Sequence, residues 1–224
     1  MPTTTSPSYV AIDPPTTPPK ACVIWLHGLG ADGHDFIPIV PELTALIPHS
    51  LRFVFPHAPL MPVTINNGAI MRAWYDIASF EINRPADHAG IKQSIKKLHQ
   101  LIEQEEKSGI PIEKIILAGF SQGAVIALTA GLTFPKPIAG IIALSGYLPP
   151  FILTSERVKH TSIPIFLGHG QEDPIVPYAL GEMSYETLKN EHYEKISWHH
   201  YPMPHSVCAE EIQDIAKWIT CLFH

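Results

Sequence analysis

From Lys20 onward, short and almost unbroken apolar runs alternate with longer segments in which apolar residues recur every three or four positions. The runs are Cys22–Leu26, Arg52–Pro56, Lys114–Ala118, Ile138–Leu144, Pro164–Gly168 and Lys195–Tyr201. A strand with one solvated face reads as alternation; a continuous Val/Ile/Leu run reads as a strand covered on both faces. The intervening segments supply the covers. Ile91, Ile95, Leu98 and Ile102 recur at helical spacing with Lys and Gln between them, and Gly109 closes the segment. Gln122–Phe134 carries no charge and predicts a helix buried against the sheet. A last helix is expected to start at Ser206 as N-cap, with Glu210 and Glu211 where the helix dipole favours acids. Strand–helix alternation of this kind predicts an α/β fold with a mostly parallel sheet flanked by helices. Residues 1–19, rich in Pro and Thr, read as a loose arm in which Tyr9–Ile12 can pair as a short edge strand. Residues 20–224 read as one domain, without repeat or linker.

The chemistry concentrates where the third run ends. Gly119-Phe-Ser-Gln-Gly123 joins a predicted strand to a predicted helix, the context in which Gly-x-Ser-x-Gly forms a sharp elbow that exposes the serine hydroxyl. A serine nucleophile needs a base and an acid that orients it, and after this elbow the expected chain order is Ser…Asp…His. Asp173 lies just past the run Pro164–Gly168. Of the histidines that follow, His199 and His200 fall inside a predicted strand and His224 at the chain end, whereas His205 occupies the loop before the final helix. Ser121, Asp173 and His205 are therefore the candidate triad. The oxyanion needs two backbone N–H donors. Gln122, after the nucleophile, is one candidate, and Leu29, between Gly28 and Gly30, is the other.

The same loop, Gly28–Gly33, also matches the dinucleotide pattern G-x-G-x-x-G. That reading requires a helix starting in the glycines and an acid at the end of the next strand. Here Pro38 and Pro41 interrupt the following segment, and the next run ends in Phe55-Pro-His57. A nucleotide-dependent oxidoreductase is thus the weaker rival. A catalytically silent hydrolase fold serving as a binding protein is the other.

Assembled in order, the motifs cover nearly the whole chain. They include Leu26-His-Gly-Leu-Gly-Ala-Asp-Gly-His34, Pro62-Val-Thr-Ile-Asn-Asn-Gly68, Met71-Arg-Ala-Trp-Tyr-Asp-Ile77 and the elbow itself. Further on come Leu144-Ser-Gly146, His169-Gly-Gln-Glu-Asp-Pro-Ile-Val-Pro177 and His205-Ser-Val-Cys-Ala-Glu-Glu211. With these, the chain resembles the carboxylesterase and acyl-protein thioesterase family of α/β-hydrolases, close to its small bacterial members. The resemblance implies an α/β-hydrolase fold, hydrolysis of esters or thioesters through an acyl-enzyme, and Ser121, Asp173 and His205 as triad with Leu29 and Gln122 at the oxyanion. It further implies that Leu29, Trp74 and Ile175 line an acyl site, while Tyr75 reads as a core aromatic. Substrates in keeping with it are a small ester, a lysophospholipid or an S-acylated protein, and a homodimer is compatible. Two positions depart from the family pattern: Ala124 and Pro204 stand where the family usually has glycine.

Composition adds limits. A net charge of −6 with scattered acids and bases argues against nucleic acid as a partner. Three cysteines, Cys22, Cys208 and Cys221, have neither disulfide-framework nor metal-ligand spacing and suit a reducing compartment; Cys221 reads as packed on the apolar face of the last helix. No apolar run is long enough to span a bilayer, and the first residues lack a basic and an apolar region, so a cytoplasmic location is expected. Neither metal nor cofactor is called for. No insertion is long enough to form a lid domain, so a shallow apolar groove walled by Pro59–Trp74 is expected.

Overall fold

A computed structural model describes residues 8–78, 87–152 and 160–224; residues 1–7 of the expected arm lie outside them. Seven strands form the main sheet: β1 (Tyr9–Ile12), β2 (Ala21–Leu26), β3 (Leu51–Pro56), β6 (Ile115–Phe120), β7 (Gly140–Leu144), β8 (Ile165–Gly170) and β9 (Ile196–Tyr201). They lie in the order β1-β3-β2-β6-β7-β8-β9. Only β1, at the edge, runs antiparallel, pairing Tyr9 with Pro56 through Ile12 with Phe53. Between β3 and β6 a separate hairpin forms from β4 (Leu60–Val63) and β5 (Ala69–Arg72). Among the described residues the helices are α1 (Ile39–Leu46), α2 (His88–Lys107), α3 (Gln122–Thr133), α4 (Tyr178–Asn190) and α5 (Ala209–Leu222).

The apolar runs are continuous because helices cover both faces. Cys22, Ile24 and Leu26 of β2 point into a cluster shared with α2 and α3, whereas Ala21, Val23 and Trp25 point into one shared with α1 and α5. Every residue of β2, β7 and β8 is buried. Helix α2 shows the predicted stripe, burying Ile91, Ile95, Leu98 and Ile102, with the Asp87 carboxylate capping the Gly90 N–H. Among the described residues no helix is long and apolar enough to cross a membrane.

The last helix corrects two expectations. It starts at Ala209, after an extended, uncapped Cys208, and not at Ser206. Residues 202–207 are committed to crossing the strand ends: Met203 O accepts Glu172 N–H, and Ser206 N–H turns back to Pro204 O. Cys221 is exposed, because the buried face of α5 is set by Ile215, Ala216 and Ile219.

Glu211, expected as a charge at the dipole, is fully buried, and neither carboxyl oxygen has a partner among the described residues. Its Oε1 fills the space of a Cβ on Gly168. Burial first, and then the Asp214 charge, pushes the carboxyl up from 4.5 to about 8. The folded chain holds this proton more tightly than the unfolded one, so it binds more protons between those values. Its contribution to stability is complete below about 4.5 and is lost as pH rises to about 8. Glu211→Gln should flatten that dependence, gaining on the order of 2 kcal/mol over wild type between pH 6 and 8.5. Urea unfolding at the two pH values checks it; parallel curves for the two proteins would count against this role.

Candidate active site

The elbow takes its shape from close backbone approach. A Cβ on Gly119 would sit 2.3 Å from Gly123 O, and one on Gly123 would sit 2.5 Å from both His27 O and Leu26 O. Side chains are excluded at both positions, so α3 starts hard against β2 and β6. Ser121, between β6 and α3, has φ 56° and ψ −120°, a region that costs a non-glycine residue about 1–3 kcal/mol. The conformation is held by Ser121 N–H donating to Leu144 O at 2.8 Å and by Ser121 O accepting Ala124 N–H at 3.0 Å. The departure at Ala124 is accommodated from across the gap, since a Cβ on Gly146 would lie only 2.6 Å from the Ala124 methyl carbon.

Asp173 follows β8 in a turn closed on its own side chain: Oδ1 accepts the N–H groups of Ile175 (2.8 Å) and Val176 (2.9 Å). That leaves Oδ2 for His205, whose Nδ1–H donates to it at 2.6 Å. Burial pushes the Asp173 carboxyl up, but the His205 bond and the Val176 and Ile175 donors outweigh it and hold the group below its ordinary value. With Nδ1–H engaged, the neutral His205 ring carries its lone pair on Nε2. The ring packs 4.7 Å, centroid to centroid, from Phe120, the residue before Ser121. Pro204 does not disturb this contact. Its loop rests on Gly170, where a Cβ would fall 2.4 Å from both Met203 O and Pro204 O.

Ser121, His205, Leu29 and Gln122 border one apolar cavity of about 460 Å³. Neither Leu29 N–H nor Gln122 N–H has a partner among the described residues. Both are held by groups that composition and spacing did not single out. The Gln122 side chain, 3% exposed, accepts Trp74 N–H (2.8 Å) and donates to Tyr75 O (2.7 Å). His27 accepts Ala58 N–H at Nε2 and donates from Nδ1 to Gly28 O at 2.7 Å, which pins the glycine loop. Burial lowers the His27 pKa, in keeping with that neutral ring. Such clamps leave no periodic trace; only the adjacency of His27 to Gly28 hinted at one.

The cavity wall differs from expectation. Leu29 and Ile175 line it, but Trp74 does not: it is 5% exposed, with its indole N–H spent on His27 O. Tyr75, read as a core aromatic, is buried yet contributes to the lining. No residue of Pro59–Trp74 takes part, because that segment folds into the separate β4–β5 hairpin. The wall is built instead by Tyr75, Ile77, Tyr147–Pro150 and α4. The glycines of Gly28–Gly33 do not open a helix, since turns occupy 33–38 and the helix starts only at Ile39, which removes the dinucleotide geometry. Asp32, His34 and His57 place ligand-type atoms within 4.8 Å of one another. His34 is bonded to Asp32, however, and His57 Nδ1 accepts Gly33 N–H, so these groups are already engaged.

Known proteins share this arrangement of sequence and fold. The model of the phospholipase/carboxylesterase family matches residues 7–223. The chain belongs to that family. It is an enzyme, a hydrolase of α/β-hydrolase fold. Acyl-protein thioesterase 1 of Yarrowia lipolytica is 36% identical over 95% of this chain and 97% of its own. The Schizosaccharomyces pombe acyl-protein thioesterase 1 reaches 44% over 79% of each. The crystal structure of Zea mays acyl-protein thioesterase 2 superposes with a TM-score of 0.83 at 28% identity, covering 97% of this chain and 100% of that one. Arabidopsis thaliana SOBER1 gives 0.83 at 31%, covering 91% and 99%. Among the described residues no separate lid domain is indicated.

Proposed function

We propose that this family member hydrolyses carboxylic esters and acyl thioesters through Ser121, His205 and Asp173. His205 Nε2 takes the proton of Ser121 as Oγ attacks the acyl carbonyl, and Asp173 holds the ring in the required tautomer and stabilises the imidazolium. The Leu29 and Gln122 N–H groups receive the oxyanion, aided by the N-terminus of α3. The leaving group departs with the proton from His205; water, deprotonated by the same nitrogen, then releases the acid. The observation that carries this reading is the 2.6 Å His205–Asp173 bond beside the strained Ser121, both serine and imidazole bordering one apolar cavity.

The acyl chain is the group that such a cavity takes. The names of the relatives favour an S-acylated protein as the source of that chain, with lysophospholipids and simple esters as further substrates. Cys22, Cys208 and Cys221 are all free, which suits the cytoplasm. Burial of a methylene contributes about 0.8 kcal/mol. Across a butyryl-to-dodecanoyl series of matched esters and thioesters, kcat/KM should therefore rise by roughly two- to fourfold per added methylene until the cavity is filled. A flat or falling profile would remove the acyl assignment of this cavity.

A further inference from the structure

His169, on β8, is 1% exposed and takes no part in the proton transfers above. Its Nε2–H donates to Val176 O at 2.9 Å. The same Val176 gives its N–H to Asp173 Oδ1. His169 Nε2 also stands 3.6 Å from Asp173 Oδ2, the oxygen that receives His205. At that distance it makes no hydrogen bond, but it turns the positive end of an N–H toward the carboxylate. A chain of contacts thus runs from His169 through Val176 to Asp173 and on to His205. The ring cannot easily move: a Cβ on Gly181 of α4 would lie 2.5 Å from its Nδ1, and Tyr178 and Trp198 flank it at centroid distances of 6.0 and 6.3 Å.

Resting on the triad reading, we infer that His169 is a positioning residue: by holding the Val176 carbonyl it locks the Asp173 carboxylate so that Oδ2 faces His205. The titratable groups around it are Asp173, His205 and Tyr178. Burial lowers its pKa, so it holds the acid without adding a second cation to Oδ2.

A buried histidine that merely fills space would make its own different mark. His169→Gln keeps an amide N–H where Nε2–H stands, His169→Asn is too short to reach Val176 O, and His169→Leu fills the volume without a donor. With active sites counted by fluorophosphonate titration, the Gln variant should keep kcat within about threefold. The Asn and Leu variants should lose roughly 10- to 100-fold in kcat with KM nearly unchanged, and the acidic limb of their pH profiles should move. His169→Leu added to Asp173→Asn should cost little more than Asp173→Asn alone, because it acts through the same carboxylate. Should His169→Leu fail to fold, the Gln and Asn pair decides the matter. Equal kcat and superimposable pH profiles for all variants would reduce His169 to packing and overturn the inference. An Asp173→Asn enzyme of full activity would instead overturn the triad reading beneath it.

Discussion

Ser121→Ala should abolish hydrolysis, lowering kcat by on the order of 10⁴-fold or more, with no loss of folded stability. The kinetic part follows from chemistry: an alanine offers no oxygen to attack the acyl carbonyl, and what remains is the oxyanion donors and binding. The stability part follows from the backbone. The strain at φ 56° is a property of any residue with a Cβ, so alanine inherits it unchanged. The bonds that hold the elbow, from Ser121 N–H to Leu144 O and from Ala124 N–H to Ser121 O, use main-chain atoms only. Urea unfolding within about 0.5 kcal/mol of wild type, with turnover lost, is the expected pair of results. A variant that kept more than a few per cent of wild-type turnover would remove Ser121 from the reaction.

Asp173→Asn should be nearly as severe, about 10³- to 10⁴-fold in kcat, although it replaces one oxygen by nitrogen. Two N–H groups, from Ile175 and Val176, point at Oδ1, so the amide oxygen must take that side. The NH₂ then faces His205, which can receive it only by placing its lone pair on Nδ1. The proton moves to Nε2, and the nitrogen meant to accept the Ser121 proton becomes a donor. KM should change little, because Asp173 does not line the cavity. Steady-state kinetics separates the two parameters; a KM effect with kcat intact would show that Asp173 shapes substrate binding instead.

The strands, the α2 stripe and the elbow were legible because each repeats a local rule: a run covered on both faces, an apolar residue each turn, a glycine wherever backbones touch. Ser121, Asp173 and His205 could be put forward from the elbow motif and the chain order because each follows a strand end, and His199 and His200 lie in β9 as expected. What could not be read depends on contacts distant in sequence. Trp74 is turned inward by a bond to His27, 47 positions away. Gln122 uses its side chain on the Trp74–Tyr75 backbone, and the cavity wall comes from α4 and not from the hairpin that follows β3. Glu211 followed the local rule for a helix start and lies in the first turn of α5, yet its carboxyl is fully buried against Gly168 of β8, a contact distant in sequence.

Acylation of a single serine at the elbow is measured most directly by covalent labelling. Intact mass after treatment with a fluorophosphonate should show one adduct per chain, mapped to the peptide that contains Ser121. The adduct should be absent in Ser121→Ala and should form far more slowly in His205→Ala. A hydrolytically active wild-type protein that stays unlabelled, or that carries its adduct on another residue, would rule out Ser121 as the nucleophile.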